Sequence, residues 1–496
     1  MKKANKIKIC AFVILLIASL SNCPAQEPKS SNSASAIRLS LADVSELALL
    51  NSLDVQIAKY DAYIKRTSLG EAESIFDTFL NAEVNYLRDK KSQPTSILGT
   101  DSKEYGFSLG LEKKLPTGTA IKLDAVGSKN RSNSVFSTLN PYNEASLQAS
   151  VTQELGKNFF GLADRASIKI TKLDIENSDF TSLDNIEEAL FDVQRAYWNL
   201  IRRTEELDIS EETLDNAEML YEAYKEKYSI GLVEESEFLA IEALLYARRS
   251  DLLVSKLNRQ TAKNELLFLL NQGRYQQDII TLDDFNFALR KVDLYKALEN
   301  AIDKRRDYKR INNKIKKNNI ELVVSKNALW PQIDLEASFI RNNLSIERSQ
   351  AWEDAGEGAN DEISLVLSLR MPLENRQAKA GLQKVNYQKV QLLLDLKRTE
   401  RQILLDINNK VNDVNTLEEQ VEMYKHTVEI HRKKLAEQVK RLHFGRSNVD
   451  TLIDYEQDLL DARRLLAEKL YDYKVALTEL DLIKNSLLDQ YWQEPL

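Results

Sequence analysis

Apolar residues along this chain recur with two different periods. Over long stretches they return every three or four positions, as Leu452, Leu459, Leu466, Leu470, Tyr473, Leu477 and Leu480 do, stepping by seven and then by four and three. That is the spacing of a coiled-coil seam. It predicts two pairs of long helices, about 163–229 with 233–271 and 376–442 with 448–489, each pair joined by a tight turn, near 231 and near 445. At 1.5 Å per residue the longest reaches roughly 100 Å, far beyond the diameter of a globular domain. Shorter helices precede the pairs. Ser40 with Asp43 three positions on makes a capping-box start for a helix running to about Ile75, and a helix from about Asp293 stops at Trp330-Pro331, as it should before proline.

Between the helices the period drops to two. Leu80, Ala82, Val84 and Tyr86 alternate with Asn81, Glu83 and Asn85, and Ile333, Leu335, Ala337 and Phe339 alternate with Gln332, Asp334, Glu336 and Ser338. Four more runs behave alike: Tyr105–Leu111, Ile121–Ala125, Ala145–Val151 and Ile363–Leu369, the last with Val366 as an exception on its polar face. The alternation predicts six strands, and Leu115-Pro116-Thr117-Gly118 supplies a turn between two of them.

The two patterns come twice. Leu41, Val44, Ala48, Leu49 and Asp54 reappear 253 residues later as Leu294, Ala297, Ala301, Ile302 and Asp307. Farther along the spacing is 214, pairing Gly231, Phe238, Glu242, Leu245, Arg249 and Leu252 with Gly445, Leu452, Glu456, Leu459, Arg463 and Leu466. The chain therefore divides into a first repeat at 38–272, with strands about 79–154, a linker at 273–292, a second repeat at 293–488, with strands about 332–370, and a short tail at 489–496.

Composition agrees with long uninterrupted elements, for 496 residues include only 14 Gly and 8 Pro. The two cysteines are Cys10 and Cys23, which excludes redox or zinc chemistry built on several thiols. Residues 1–22 are an export signal: Lys2, Lys3, Lys6 and Lys8 precede an apolar run from Ile9 to Leu20, too short to span a membrane. Leu20-Ser21-Asn22-Cys23 resembles a lipoprotein signal, with Cys23 the lipidation candidate and 23–37 a Ser-rich tether. Cleavage after Ala25 is the rival reading, and either way the protein leaves the cytoplasm. The processed chain keeps 64 basic against 76 acidic residues, formally −12, a poor match for nucleic acid. No GxxxxGK[ST], GxSxG or HExxH run occurs, and no nucleophile and base stand together, so no enzyme and no cofactor are expected. His426, His431 and His443 do not share one helix face, which argues against a metal site.

No later stretch reaches the ~18 apolar residues of a spanning helix. If the protein crosses a membrane, it does so with strands. Alternation of this kind suits a strand with lipid on one side and water on the other, and four to six short strands beside 100 Å helices have no other layer to pack against. Lipid leaves an open sheet edge unsatisfied, and a closed barrel needs roughly eight or more strands. Several copies must then pool their strands; physics requires an oligomer without fixing its number.

In the order of its motifs the chain resembles the TolC-like outer membrane efflux proteins over nearly its whole processed length. The resemblance rests on Leu39-Ser40-Leu41, Ala48-Leu49-Leu50-Asn51 and Asp54, on Ala328-Leu329-Trp330-Pro331-Gln332-Ile333-Asp334-Leu335 entering a strand, and on Met371-Pro372-Leu373 leaving one. The turns Tyr228-Ser229-Ile230-Gly231-Leu232 and His443-Phe444-Gly445-Arg446-Ser447 complete it. It implies a mainly α protein with membrane β structure: a homotrimeric β-barrel in the outer-membrane lipid, continued by a long periplasmic α-helical barrel, with two repeats per protomer. It further implies an exit channel for efflux or type I secretion that docks onto a periplasmic adaptor and an inner-membrane transporter. On the same ground residues 273–292 and the tail would form a belt outside the tunnel. The extra hairpin at Tyr105–Val126 departs from the minimal pattern and leaves open how many strands each protomer gives the barrel.

The family places the two helix turns at the periplasmic entrance, where the chemistry of gating would lie. The first tip is acidic at Glu234, Glu235 and Glu237, the second basic at Lys440, Arg441 and Arg446, so pairing between neighbouring hairpins could hold the mouth shut. Exposed pairs contribute at most about 1 kcal/mol each, so only a symmetric set would bias a gate. Asp450 and Asp454, four apart on the second hairpin, are the candidates for a carboxylate ring at the pore constriction, with Glu237 beside them; acids at a helix N-terminus also suit the dipole alone. Ile230, Gly231, Leu232, Phe444 and Gly445 are the candidate adaptor contacts, with burial within the oligomer as the other reading. The competing functional class is a lipid-anchored or secreted coiled-coil scaffold without a pore. It explains the helices but not six alternating strands set equivalently in two halves; an adaptor-like protein would have one hairpin.

Overall fold

In a computed structural model, residues 37–491 are described apart from 93, 95, 96, 98, 274–276, 359 and 445. The export signal, Cys23, the tether, Gly445 and Trp492 lie outside the described residues. The element order is β1 (Ile37–Leu39), α1 (Leu41–Asn51), α2 (Leu53–Glu73), β2 (Thr78–Asp89), β3 (Ser102–Lys114), β4 (Thr119–Ser132), β5 (Tyr142–Glu154), α3 (Leu162–Ser229) and α4 (Glu235–Leu269). Then come β6 (Ile279–Thr281), α5 (Leu294–Lys304), α6 (Arg306–Asn327), β7 (Gln332–Ser345), α7 (Arg348–Glu357), β8 (Asp361–Arg370), α8 (Arg376–His443) and α9 (Val449–Ile483).

The helices of the two repeats correspond at fixed offsets. α1 and α2 map onto α5 and α6 at an offset of 253, and α3 and α4 map onto α8 and α9 at 214, with equal lengths of 68 and 35 residues. The offset falls because β2 and β5 answer to β7 and β8, while the hairpin β3–β4 exists in the first repeat only. Even the helix stops repeat. Asn271 and Asn485 both take a left-handed φ of 53°. In both, the next residue's N–H reaches back five positions, Gln272 to Leu267 and Ser486 to Asp481, at 2.9 Å. This closure satisfies helix-end carbonyls and ends α9 at Ile483, six residues short of the predicted 489. The helices predicted as single rods over 40–75 and 293–330 are each broken once, at Ser52 (ψ 132°) and Arg305 (ψ 115°). There the chain steps out of helical geometry for one residue, while α1 and α2 both stay on α3 and α5 and α6 both stay on α8.

Six strands form one antiparallel sheet, ordered β2-β3-β4-β5-β7-β8. Its register sorts the side chains. Leu80, Leu111, Leu123, Ala149, Phe339 and Ile363 stand in one cross-strand row, with Ala82, Leu109, Ala125 and Leu147 in the next on the same face. The opposite face carries Asn81, Gly110, Asp124 and Gln148 in one row and Glu112, Lys122, Ser150, Ser338 and Ser364 in another. Ser338 and Ser364 share a 2.7 Å hydrogen bond there. Most of the apolar face is bare, Val84 being 85% exposed and Ile363 78%. The connections to α2, α3, α6 and α8 leave from one end of the sheet, and its far end carries the connections from β2 to β3, β4 to β5 and β7 to β8.

The polar stretch between β7 and β8 contains the helix α7. Ala351 and Ala355, one turn apart, settle against the fully buried Ala145. Small side chains at that spacing let a helix lie close on a strand. Trp352 covers Gly127, where a Cβ would come within 2.5 Å of Phe107 and 2.9 Å of Trp352.

The main apolar core lies where α1, α3, α4 and the C-terminal turn meet, around Tyr197, Leu190 and Leu266. β1 and β6 pair in parallel there, Ile37 with Ile279. In the segment after β6, Phe285 stacks on Trp198 and Phe287 on Tyr473. Beside this core the repeats join through a buried ionic knot. Glu187, fully buried, accepts from Arg306 (2.5 Å), Asn485 (3.0 Å) and the backbone N–H groups of Leu487 (2.8 Å) and Leu488 (3.1 Å). Asp184 joins Arg306 and Arg310. Lys317 meets Asp174 at 2.8 Å, so α6 lies against α3 along a basic-on-acidic seam.

Equivalent faces of the two repeats are not equally covered. Ile209 of α3 is 1% exposed and its counterpart Met423 of α8 is 66%. Leu460 of α9 is 1% exposed and its counterpart Tyr246 of α4 is 61%. On α2 the positions answering to Arg306, Arg310 and Lys317 are the exposed Leu53, Ile57 and Ile64. Among the described residues no helix is long and apolar enough to cross a membrane.

Candidate functional site at the hairpin tips

Each long pair turns through five residues. At the first tip the N–H of Leu232 returns to the carbonyl of Lys227 at 2.9 Å, with Gly231 between them at φ 74°. Nothing lies within 4 Å of where a Cβ would sit on Gly231, so glycine is required by the backbone and not by crowding. At the second tip Arg446 returns to Arg441 at 2.9 Å, and Asn448 caps α9 by accepting from the Thr451 N–H at 3.1 Å.

Aromatic side chains stiffen the first tip. Phe238 stacks face to face on Tyr228, centroids 5.0 Å apart, and meets Tyr221 at 5.6 Å. Below them Tyr224, Ile241 and Val449 form a buried cluster flanked by Val233 and Ile453, so the first tip rests on the start of α9. Burial, with the charge of Glu237 beside it, pushes the Tyr224 hydroxyl's pKa up.

The charged candidates divide. Glu237 is half-buried near Tyr224, while Glu234 and Glu235 face solvent, Glu234 within 3.5 Å of the Ser236 hydroxyl. Arg441 is 3.5 Å from Glu437, one turn back on its own helix, and Arg446 is exposed. Among the described residues no ion pair within the chain joins Glu234, Glu235 or Glu237 to Arg441 or Arg446. Asp450 and Asp454 both face solvent on α9. Ile230, Leu232 and Phe444 are exposed at the tips.

What the sequence reading missed is one turn deeper. Asp458 takes a hydrogen bond from Lys434 at 2.8 Å and lies 3.8 Å from His431 Nδ1, latching α9 to α8. The Lys434 bond holds the Asp458 carboxyl below the usual carboxylate range. Lys434 also lies 3.7 Å over the Tyr455 ring. Asp458 continues the spacing of Asp450 and Asp454, the one signal that could have found it. Between the hairpins, Arg463 meets Glu212 at 2.7 Å, Arg248 meets Gln457 at 3.0 Å and Arg464 meets Asp251 at 3.5 Å. Among the described residues no group of three or more His, Cys, Asp or Glu could hold a metal ion.

The arrangement offers acidic side chains, exposed apolar tips and interlocked rods. The sequence matches the family described as outer membrane efflux protein over residues 120–272 and 297–486. A comparison with curated proteins gives no match. Several solved structures share the fold. The CmeC outer membrane channel of Campylobacter jejuni is 14% identical, with 90% of this chain and 86% of that one covered and a TM-score of 0.67. CusC is 15% identical, with 93% and 96% covered and a TM-score of 0.69. The MtrE outer membrane channel of Neisseria gonorrhoeae, in its open state, is 17% identical, with 92% and 94% covered and a TM-score of 0.65.

Proposed function

Because the chain belongs to the outer membrane efflux protein family, whose members are channels and not enzymes, we propose that three copies form a passive exit conduit for a tripartite efflux or type I secretion system. The six-stranded sheets pool into one barrel in the outer membrane. The four long helices of each copy continue it as a tunnel in the periplasm, where the tips meet an adaptor and, through it, an inner-membrane transporter.

The observation that carries this reading is the sheet. A bare apolar face, a polar opposite face and two unpaired edges, β2 and β8, are what a section of a lipid-facing wall requires. A coiled-coil scaffold has no use for them.

The uneven repeats say how copies would meet. Within the chain α6 lies against α3 and α9 against α3; shifted by one repeat, the same contacts place α2 and α4 of one copy against α8 of the next. That shift covers Leu53, Ile57, Ile64, Tyr246 and Met423 together. The next copy repeats the operation, and a ring results.

Gating and selectivity follow at the tips. Glu234 and Glu235 of one hairpin pair with Arg441 and Arg446 of a neighbouring one in the closed mouth. Asp450 and Asp454 ring the constriction with Glu237 nearby, and Ile230, Gly231, Leu232 and Phe444 receive the adaptor. The contact of Arg310 with Asp184, shifted by one repeat, becomes Ile57 with Arg398 of the next copy. An Ile57→Cys, Arg398→Cys variant should therefore be joined in membranes by a flexible bifunctional thiol crosslinker into a closed three-chain species on denaturing gels. Only unlinked monomer, or an open-ended ladder of higher species, would overturn the assembly.

A further inference from the structure

At the end of the sheet far from the helices, the apolar face turns basic. Arg88, Lys103 and Arg131 are direct cross-strand neighbours on β2, β3 and β4. Lys129 follows in the next row, level with Tyr86 and Tyr105. Like charges set opposite one another weaken a sheet, so this row carries a cost. The chain offsets it only at its margin: Asp101 reaches Arg88 at 3.5 Å and Lys90 at 3.6 Å. Among the described residues no carboxylate comes within 4.0 Å of the charged groups of Lys103, Lys129, Arg131 or Arg348.

Directly beneath is an aromatic band. Tyr86 and Tyr105 have centroids 4.7 Å apart, Phe107 and Trp352 5.9 Å, and Arg348 lies 4.8 Å over Phe107. A cleft of about 470 Å³ opens between band and cations, lined by Tyr105, Phe107, Lys129, Glu144, Arg348 and Trp352 among others. Below it the face is continuous, exposed hydrocarbon through Val84, Leu109 and Leu80.

We propose that this surface holds a phosphorylated, multiply acylated glycolipid of the outer leaflet, its phosphates on the Arg88-Lys103-Arg131 row with Lys129 and Arg348, its acyl chains along the aromatic band and the rows beneath. Cations poised above a bare apolar face select a ligand that is anionic at one end and aliphatic at the other, which a free phosphate is not. Lys129 and Arg348 line the cleft and Arg88, Lys103 and Arg131 stand in the row above it; set against Asp101 and Glu144 they leave about three positive charges, more than the single charge of an ordinary anionic phospholipid, and call for a headgroup with more than one phosphate. The proposal rests on the barrel reading above, which places this end of the sheet at the outer leaflet.

The test uses the full chain in nanodiscs and a bis-phosphorylated, acylated disaccharide lipid as probe, with binding read by native mass spectrometry and conductance measured on the same preparations. A Lys near an anionic lipid surface is worth about fivefold in binding. The Lys103→Gln, Lys129→Gln, Arg131→Gln variant should therefore bind roughly a hundredfold more weakly while conducting like the parent. The charge-keeping Lys103→Arg, Arg131→Lys variant should bind within about threefold of it, guarding against a folding effect. Unchanged binding by the neutral variant, equal binding of the dephosphorylated probe, or equal competition by phosphatidylglycerol or inorganic phosphate would each overturn the proposal. A parent protein that binds the probe but never conducts would instead sink the barrel reading.

Discussion

Replacing Glu187 by alanine should loosen the C-terminal turn far more than its distance from any pore suggests. The carboxylate is fully buried and accepts four hydrogen bonds, one from the Arg306 guanidinium, itself only 9% exposed, and two from backbone N–H groups. Truncation leaves the buried Arg306 with Asp184, at 3.0 Å, as its remaining carboxylate, so the loss lies toward the lower end of the about 3–5 kcal/mol of a broken buried pair. It also orphans the amides of Leu487 and Leu488. Because proteins open locally as well as globally, the assay is local hydrogen exchange. Protection of those two amides should fall by roughly 10²–10³-fold, taking the lower part of that range to allow for water entering the vacated site. The same junction supplies a control, since Lys304 and Asp489 form an exposed pair at 2.5 Å. Asp489→Asn should change protection by less than about fivefold. Equal effects from the two substitutions would mean that burial of Glu187 does not decide the strength of the knot, and the reasoning would fail.

On the sheet, Leu365→Arg should cost about 2–4 kcal/mol of membrane insertion, whereas Ser364→Arg, one position over on the polar face, should cost little; folding into vesicles followed by heat-modifiable gel migration separates them, and equal penalties would refute the assignment of faces. The latch of Asp458 on Lys434 has a carboxyl pKa depressed in the folded state, so its contribution is complete above the unfolded value near 3.9 and drains away as pH falls through the lower folded value. Exchange at the α8–α9 tip should accordingly quicken below about pH 4 in the parent and lose that pH step in Asp458→Asn. Neutralising Asp450 and Asp454 together should lower cation selectivity and block by multivalent cations in planar bilayers; unaltered reversal potentials would leave the two acids as helix caps.

Periodicity made the long helices, the six strands and the duplication legible, because each depends on a repeating choice between water and apolar surroundings at every residue. The places that escaped were decided by single contacts. Nothing in Ser-Leu-Asp or Arg-Arg-Asp marks the bends at Ser52 and Arg305. α7 was hidden because it is short and polar, and only its two alanines, one turn apart, suit the strand below. At the tips, composition pointed to charge without giving partners. Asp458 is set apart from Asp450 and Asp454 by Lys434, 24 residues upstream on the facing helix, and a linear reading does not bring the two together.

The unequal burial of equivalent positions also separates a channel from a self-sufficient rod. A duplicated chain complete by itself would cover both repeats alike, or keep the uncovered one polar. Here α6 meets α3 through Arg306, Arg310 and Lys317 against Asp174, Asp184 and Glu187. The equivalent stripe of α2 carries Leu53, Ile57 and Ile64 exposed, and the equivalent stripe of α8 carries Gln388, Arg398 and Arg401. The ionic seam is thus the internal one, where covalent connection already holds the partners together and opposite charges fix register. In the assembly proposed above, the stripe that would meet another copy is apolar on α2, and burying it needs no charge to be desolvated on that side. Substituting Ile57 and Ile64 by lysine should therefore leave the folded protomer largely intact, as judged by far-ultraviolet circular dichroism, while shifting the membrane-extracted protein from oligomer to monomer. Retention of the oligomer by that variant would place the contact between copies on some other face.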